Sequence, residues 1–156
     1  MGGAVIVMRR VETGEAYVGE VPLELFRGER FGDQLYLEKA VELVLRGVEA
    51  LKVAKDEPIH VCTGYILSRA REVLRERGFN VVSAKIRGET QALAEREFVR
   101  SLVRMGVGDE ATVKGMRSFN AFLDWVLEDL EGRERYVKTG WRAWSRLRKG
   151  GGRPGS

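Results

Sequence analysis

Residues 58–88 read PIHVCTGYILSRAREVLRERGFNVVSAKIRG. Ile59–Thr63 is a short apolar run between Pro58 and Gly64, the pattern of a buried strand. The period then changes, and across Tyr65–Arg77 the apolar residues Ile66, Ala70, Val73 and Leu74 recur at helical spacing. Gly78 stands where a left-handed C-cap closes a helix, and Phe79 is placed for the apolar contact that accompanies such a cap. Asn80–Ile86 returns to strand, and Gly88 closes it. Strand, helix and strand in this order predict a right-handed crossover with the two strands parallel.

Outward from this unit, the first 30 residues read as strands. Ala4–Val11 is β-branched and apolar, and Glu12-Thr13-Gly14 is a turn signal. Ala16, Val18 and Val21 continue a second strand, which Pro22 interrupts. Leu23-Glu24-Leu25-Phe26 alternates apolar and polar and predicts a third, completing an antiparallel meander. Asp33–Ala54 predicts a helix with two apolar rows, one of Tyr36, Ala40, Leu43, Val44 and Leu51, the other of Leu37, Val41, Leu45 and Val48. A stripe that wide belongs to a largely buried helix lying on a sheet. Glu89–Met105 predicts another helix, capped by Gly106. Val107–Arg117 has no clear element. Ser118–Glu131 is amphipathic through Phe119, Phe122, Leu123, Val126 and Leu130, and Arg133–Lys149 reads as a last helix weakened by Gly140. Gly150–Ser156 has the composition of a disordered tail. The order β-β-β-α-β-α-β-α predicts an α/β fold with a mixed five-stranded sheet. It divides the chain into an α/β domain over 1–106, a helical extension over 107–149 packed on it, and a tail over 150–156.

The chain has 156 residues, with 44% apolar and 32% charged side chains, enough for a packed core. No apolar run approaches the roughly 18 residues of a membrane span, and no secretory leader is evident, so a cytoplasmic protein is expected. A single Cys, Cys62, excludes an internal disulfide framework and a Cys-rich zinc site. Arg outnumbers Lys 20 to 7, Glu outnumbers Asp 18 to 5, and Asn and Gln total four, a composition suited to heat. The net charge of +4 is uneven: from Arg133 onward eight basic residues face one acidic residue, giving +7, which leaves 4 − 7 = −3 for the preceding 132 residues. A basic tail on a mildly acidic body points to nucleic acid or another polyanion.

The element order over about residues 4–106 resembles the ribonuclease H-like fold. The segment Gly88-Glu89-Thr90-Gln91-Ala92-Leu93-Ala94-Glu95-Arg96-Glu97 is similar in position to that family's Gly-His stretch leading into an acidic last helix, with Glu89 in place of the His. The resemblance implies two divalent cations held by carboxylates from the first strand, the first helix, the fourth strand and the last core helix, as two-metal phosphodiester cleavage requires. Glu38 or Glu42 matches the first helix, and Glu95 or Glu97 the last one. The first strand offers Val7-Met8-Arg9-Arg10 and the fourth Cys62-Thr63-Gly64, neither with an acid. Cations where carboxylates belong argue against bound metal, so no catalytic residue, metal or other cofactor is expected.

A site of opposite sign is expected instead. Ligands gather at the carboxyl ends of parallel strands, where Arg9, Arg10, Thr63, Gly64 and Arg87 would converge around helix N-termini suited to an anion. The competing reading is that the glycines only make tight turns and the arginines pair with surface glutamates. His60 and Cys62 share a strand face, but the chain has no further His or Cys to complete a metal site. In the tail, Arg133, Arg135, Lys138, Arg142, Arg146, Arg148 and Lys149 interleave with Tyr136, Trp141 and Trp144. Such a pattern serves phosphate neutralisation and base stacking; alternatively the aromatics form a buried stripe beneath a solvated cationic face. The expected function is non-enzymatic binding of nucleic acid, RNA foremost. A divergent metal-dependent nuclease using Glu38, Glu42, Glu95 and Glu97 is one alternative, and a homodimer through Trp141 and Trp144 another.

Overall fold

The computed structural model describes residues 2–116, 118–140 and 143–150. Strands β1 (Ala4–Arg9) and β2 (Ala16–Val21) form an antiparallel hairpin, with Ala4 opposite Val21 and Arg9 opposite Ala16. The turn between them closes through Arg10 N–H to the Glu15 carbonyl at 2.8 Å. A one-turn helix α1 (Glu29–Gly32) leads into the long helix α2 (Leu35–Ala50). Strand β3 (Pro58–Val61), helix α3 (Ser68–Glu76) and strand β4 (Asn80–Ser83) follow, then helices α4 (Gly88–Met105), α5 (Glu110–Gly115), α6 (Phe119–Glu128), α7 (Leu130–Arg133) and α8 (Ala143–Gly150).

The crossover unit forms with shorter elements than expected, the second strand ending at Ser83 rather than Ile86 and Tyr65–Leu67 turning as 3₁₀ helix before α3: β3 and β4 pair parallel, Pro58 opposite Asn80 and Val61 opposite Ser83. Gly78 adopts φ +87°, its N–H reaches the Arg75 carbonyl, and Phe79 N–H reaches the Leu74 carbonyl, both at 3.0 Å. That double bond pattern satisfies carbonyls the last turn of α3 would otherwise leave open. Leu74, 1% exposed, drops from this helix into the core, a burial worth roughly 2 kcal/mol.

The five-stranded mixed sheet does not form. Among the described residues the strands make two separate two-stranded sheets, β1–β2 and β3–β4. The expected third strand, Leu23–Phe26, is a turn of 3₁₀ helix instead. Pro22 has no N–H to give a ladder, and its carbonyl accepts from Leu25 N–H at 3.2 Å. A period of three places Leu23 and Phe26, 6% and 4% exposed, on one buried side. Arg10, just past β1, bonds the Leu51 and Lys52 carbonyls, so β1 finishes where the chain is about to enter β3. The opening strand has no ladder with β3 among the described residues.

Helix α2 joins the two sheets into one core. On its hairpin side the approach is close: a Cβ on Gly47 would lie 3.0 Å from Tyr17 Cδ1, and one on Gly19 2.8 Å from Leu43 Cδ2. The same apolar cluster runs through Ile6, Val21, Ala40, Val44, Val61 and Leu74. The predicted helix over Arg133–Lys149 is broken: a 3₁₀ turn spans Glu134–Tyr136, Val137 is extended, and the next helix among the described residues is α8. Docking explains the break. Gly2 N–H reaches the Tyr136 carbonyl at 2.9 Å, and Gly140 N–H reaches the Phe26 carbonyl at 3.1 Å, pinning the segment across the N-terminal elements. The tail predicted to be disordered lies, but for Gly150, outside the described residues. No helix among the described residues is long and apolar enough to cross a membrane.

Candidate functional site

Of the residues expected to converge at strand ends, Arg9 and Arg10 lie at one end of α2 and Thr63 and Gly64 at the other. Arg10 sits at the C-terminal end of this helix. Its Nε and Nη2 donate to the Leu51 carbonyl at 2.9 and 2.7 Å, Nη2 donates to the Lys52 carbonyl at 3.0 Å, and Nη1 meets Glu57 Oε1 at 3.0 Å. The guanidinium thus caps the helix, favourably placed at the negative end of its dipole. Arg10 holds the Glu57 carboxyl below its ordinary pKa, helped by Ala54 N–H, and Glu57 pushes Arg10 up. Thr63 and Gly64 are at the other end: the neighbouring Tyr65 hydroxyl accepts from Gln34 Nε2 at 2.9 Å, and Gln34 immediately precedes α2. The 16 residues of α2 span about 24 Å at roughly 1.5 Å per residue. Gly64 has an ordinary φ of −57°, so nothing in its backbone demands glycine.

Arg9 belongs to the Arg10 end, where its Nη2 meets Glu89 Oε2 at 2.6 Å in the first turn of α4. Arg87 is the N-cap residue of α4 and is exposed, with no ion pair among the described residues. The glutamates of the nuclease alternative face cations or an amide: Glu38 meets Arg69, Glu42 meets Lys39 and Arg46, Glu97 meets Arg100, and Glu95 accepts from Gln91. No group of three or more His, Cys, Asp or Glu among the described residues is placed to hold a metal ion.

The tail sorts into paired and unpaired cations. Arg133 stacks on the Trp125 ring at 4.4 Å and meets Glu128 at 3.2 Å. Arg135 lies on the Tyr136 ring at 4.7 Å, exposed on its outer side. Arg148 Nε meets Glu134 Oε1 at 3.0 Å, and the same carboxylate accepts from Trp144 Nε1 at 3.0 Å, tying the 3₁₀ turn to α8. Arg146 and Lys149 lie three residues apart and exposed, while Trp144 and Leu147 face inward at 5% and 6% exposure. Tyr136 is equally buried. Of the predicted aromatic platforms, these two are packed within the chain. Trp141 and Arg142 lie outside the described residues.

Lys138 stands apart from the other cations. Its Nζ is 4.9 Å from the Phe26 ring centroid, and burial holds its ammonium below the ordinary lysine range. It borders a cavity of about 270 Å³ whose other described walls are all apolar, including Phe31, Phe122, Val126 and Trp144. Sequence reading picked out the α6 stripe and Lys138 separately. Nothing local in the sequence shows that Phe31, over a hundred residues before Lys138, completes the wall, or that Phe26 receives the ammonium.

Comparison of the chain with protein-family models, with curated proteins and with solved structures finds no match.

Proposed function

We propose that the chain binds nucleic acid, RNA foremost, by gripping phosphates rather than by stacking on bases. The observation that carries this reading is the outer face of α8. There Arg146 and Lys149 project without an acidic partner among the described residues, opposite the buried Trp144 and Leu147. Glu134 tethers the turn bearing Arg135 to the same helix. Cations free of ion pairs neutralise phosphates and release condensed counterions without first breaking an internal contact. Burial of Tyr136 and Trp144 removes two ring faces that stacking would need.

Deleting the tail is a poor test, because Tyr136, Val137, Trp144 and Leu147 are core residues. The full chain carrying Arg146→Gln and Lys149→Gln is better. Binding of a fluorescent single-stranded RNA, followed from about 50 to 200 mM salt, should show a log–log slope shallower by about 1.4 in the double variant. Salt-independent binding, or an unchanged slope, would overturn the proposal.

A further inference from the structure

The cavity beside Lys138 belongs to no part of the phosphate-binding face. Its walls come from three places in the chain: Phe31 of α1, Phe119, Phe122, Leu123 and Val126 of α6, and Val137 and Trp144 around the last turn. Phe119 is 51% exposed, and the other described walls are buried or half-buried. Lys138 is the single charged side chain among the described lining residues. No carboxylate among the described residues approaches it, and its close partner is the Phe26 ring.

An ammonium desolvated against apolar walls, with a ring face but no counter-charge, favours any anion that reaches it without bringing water along. An inorganic anion would leave the apolar volume empty, and a neutral hydrocarbon would leave the ammonium uncompensated. Specific pockets combine a mostly apolar wall with one or a few polar anchors. We infer that this cavity is a binding site for a compact aryl monocarboxylate, its ring among Phe31, Phe122 and Trp144 and its carboxylate on Lys138 Nζ. The volume of about 270 Å³ suits a bicyclic ring carrying one carboxylate.

The probe is 2-naphthoate, titrated calorimetrically into the full chain, with 2-naphthylmethanol as the uncharged isostere and acetate as the anion without a ring. Naphthoate should bind with one site per chain, the alcohol about tenfold or more weaker, and acetate not detectably. Lys138→Met should remove the preference for naphthoate over the alcohol, and Lys138→Arg should restore it. Melting curves of both variants establish that they are folded. A folded Lys138→Met protein that still prefers naphthoate would overturn the assignment, as would equal binding of acid and alcohol or no binding of either. Should Lys138→Met fail to fold, Phe119→Ala, at the half-exposed rim, must weaken naphthoate binding, and unchanged affinity there would overturn it equally.

Discussion

Gly140→Ala tests how the C-terminal segment is attached to the rest of the fold. A Cβ at this position would lie 2.5 Å from Phe31 Cγ, closer still to Phe31 Cβ, and 3.0 Å from the Phe26 carbonyl oxygen. Carbon atoms in contact prefer about 3.5–4.0 Å, so the two segments must separate by more than an ångström. The partner is the base of a side chain and a backbone carbonyl, so a rotamer change cannot relieve the overlap. Separation also stretches the 3.1 Å bond from Gly140 N–H to Phe26. Overpacking costs about 1–3 kcal/mol, and a lost hydrogen bond about 1 kcal/mol more. The expected loss is about 3 kcal/mol, or about 6–12 °C in melting temperature for a chain of this size. Gly32→Ala is the control, since nothing lies within 4 Å of a Cβ there. Differential scanning calorimetry reads both variants. If Gly140→Ala melts within about 2 °C of the parent, or no lower than Gly32→Ala, then the segment is not docked as described.

Ser118 Oγ accepts from Ala121 N–H at 3.0 Å at the start of α6, so Ser118→Ala should cost about 1 kcal/mol and lower the melting temperature by about 2–4 °C; no change would show the cap to be inert. The Glu57 carboxyl titrates below its ordinary 4.5 in the folded chain because Arg10 and Ala54 N–H bond its charged form. A depressed folded value stabilises above the unfolded pKa and ceases to do so as pH falls through the folded one. The melting-temperature gap between the parent and Glu57→Gln should therefore be full near neutrality and narrow as pH drops below 4.5, whereas a gap that persists unchanged into strong acid contradicts the clasp.

What the sequence disclosed, and what it hid, follows the range of the interactions involved. The β3–α3–β4 unit was legible because its determinants are local: a switch of apolar period and Gly78 in the left-handed position. Leu23–Phe26 was not, since four residues fit a period of two or of three equally well. The end of α2 was hidden differently. Lys52 takes φ +52° there, with no glycine to announce it, and the capping donor, Arg10, lies 41 residues from Leu51. The same distance effect hid the ion pairs of the expected strand-end residues. Arg9 and Arg10 looked like free cations, but their acidic partners, Glu89 and Glu57, stand 80 and 47 residues away. The reading in which arginines pair with glutamates described both.

Formal charge is therefore a poor measure of grip on a polyanion. From Arg133 onward the chain carries eight basic residues, and if each met a phosphate of single-stranded RNA, the tail alone would contribute a salt slope of about −5.6. The structure divides them unequally. Arg133 and Arg148 already face Glu128 and Glu134, so part of the charge of each is compensated before a phosphate arrives. Lys138 is turned toward Phe26 and the cavity. Arg135, Arg146 and Lys149 remain among the described residues, and on the proposed function they would contribute about −2.1 together. Replacing the paired set, Arg133→Gln with Arg148→Gln, should leave the slope nearly unchanged, while replacing Arg146 and Lys149 should make it shallower by about 1.4. The two double variants remove the same charge, so net electrostatic attraction predicts equal losses from both. An equal loss would mean that pairing within the fold does not select the phosphate contacts, and the assignment of the α8 face would go with it.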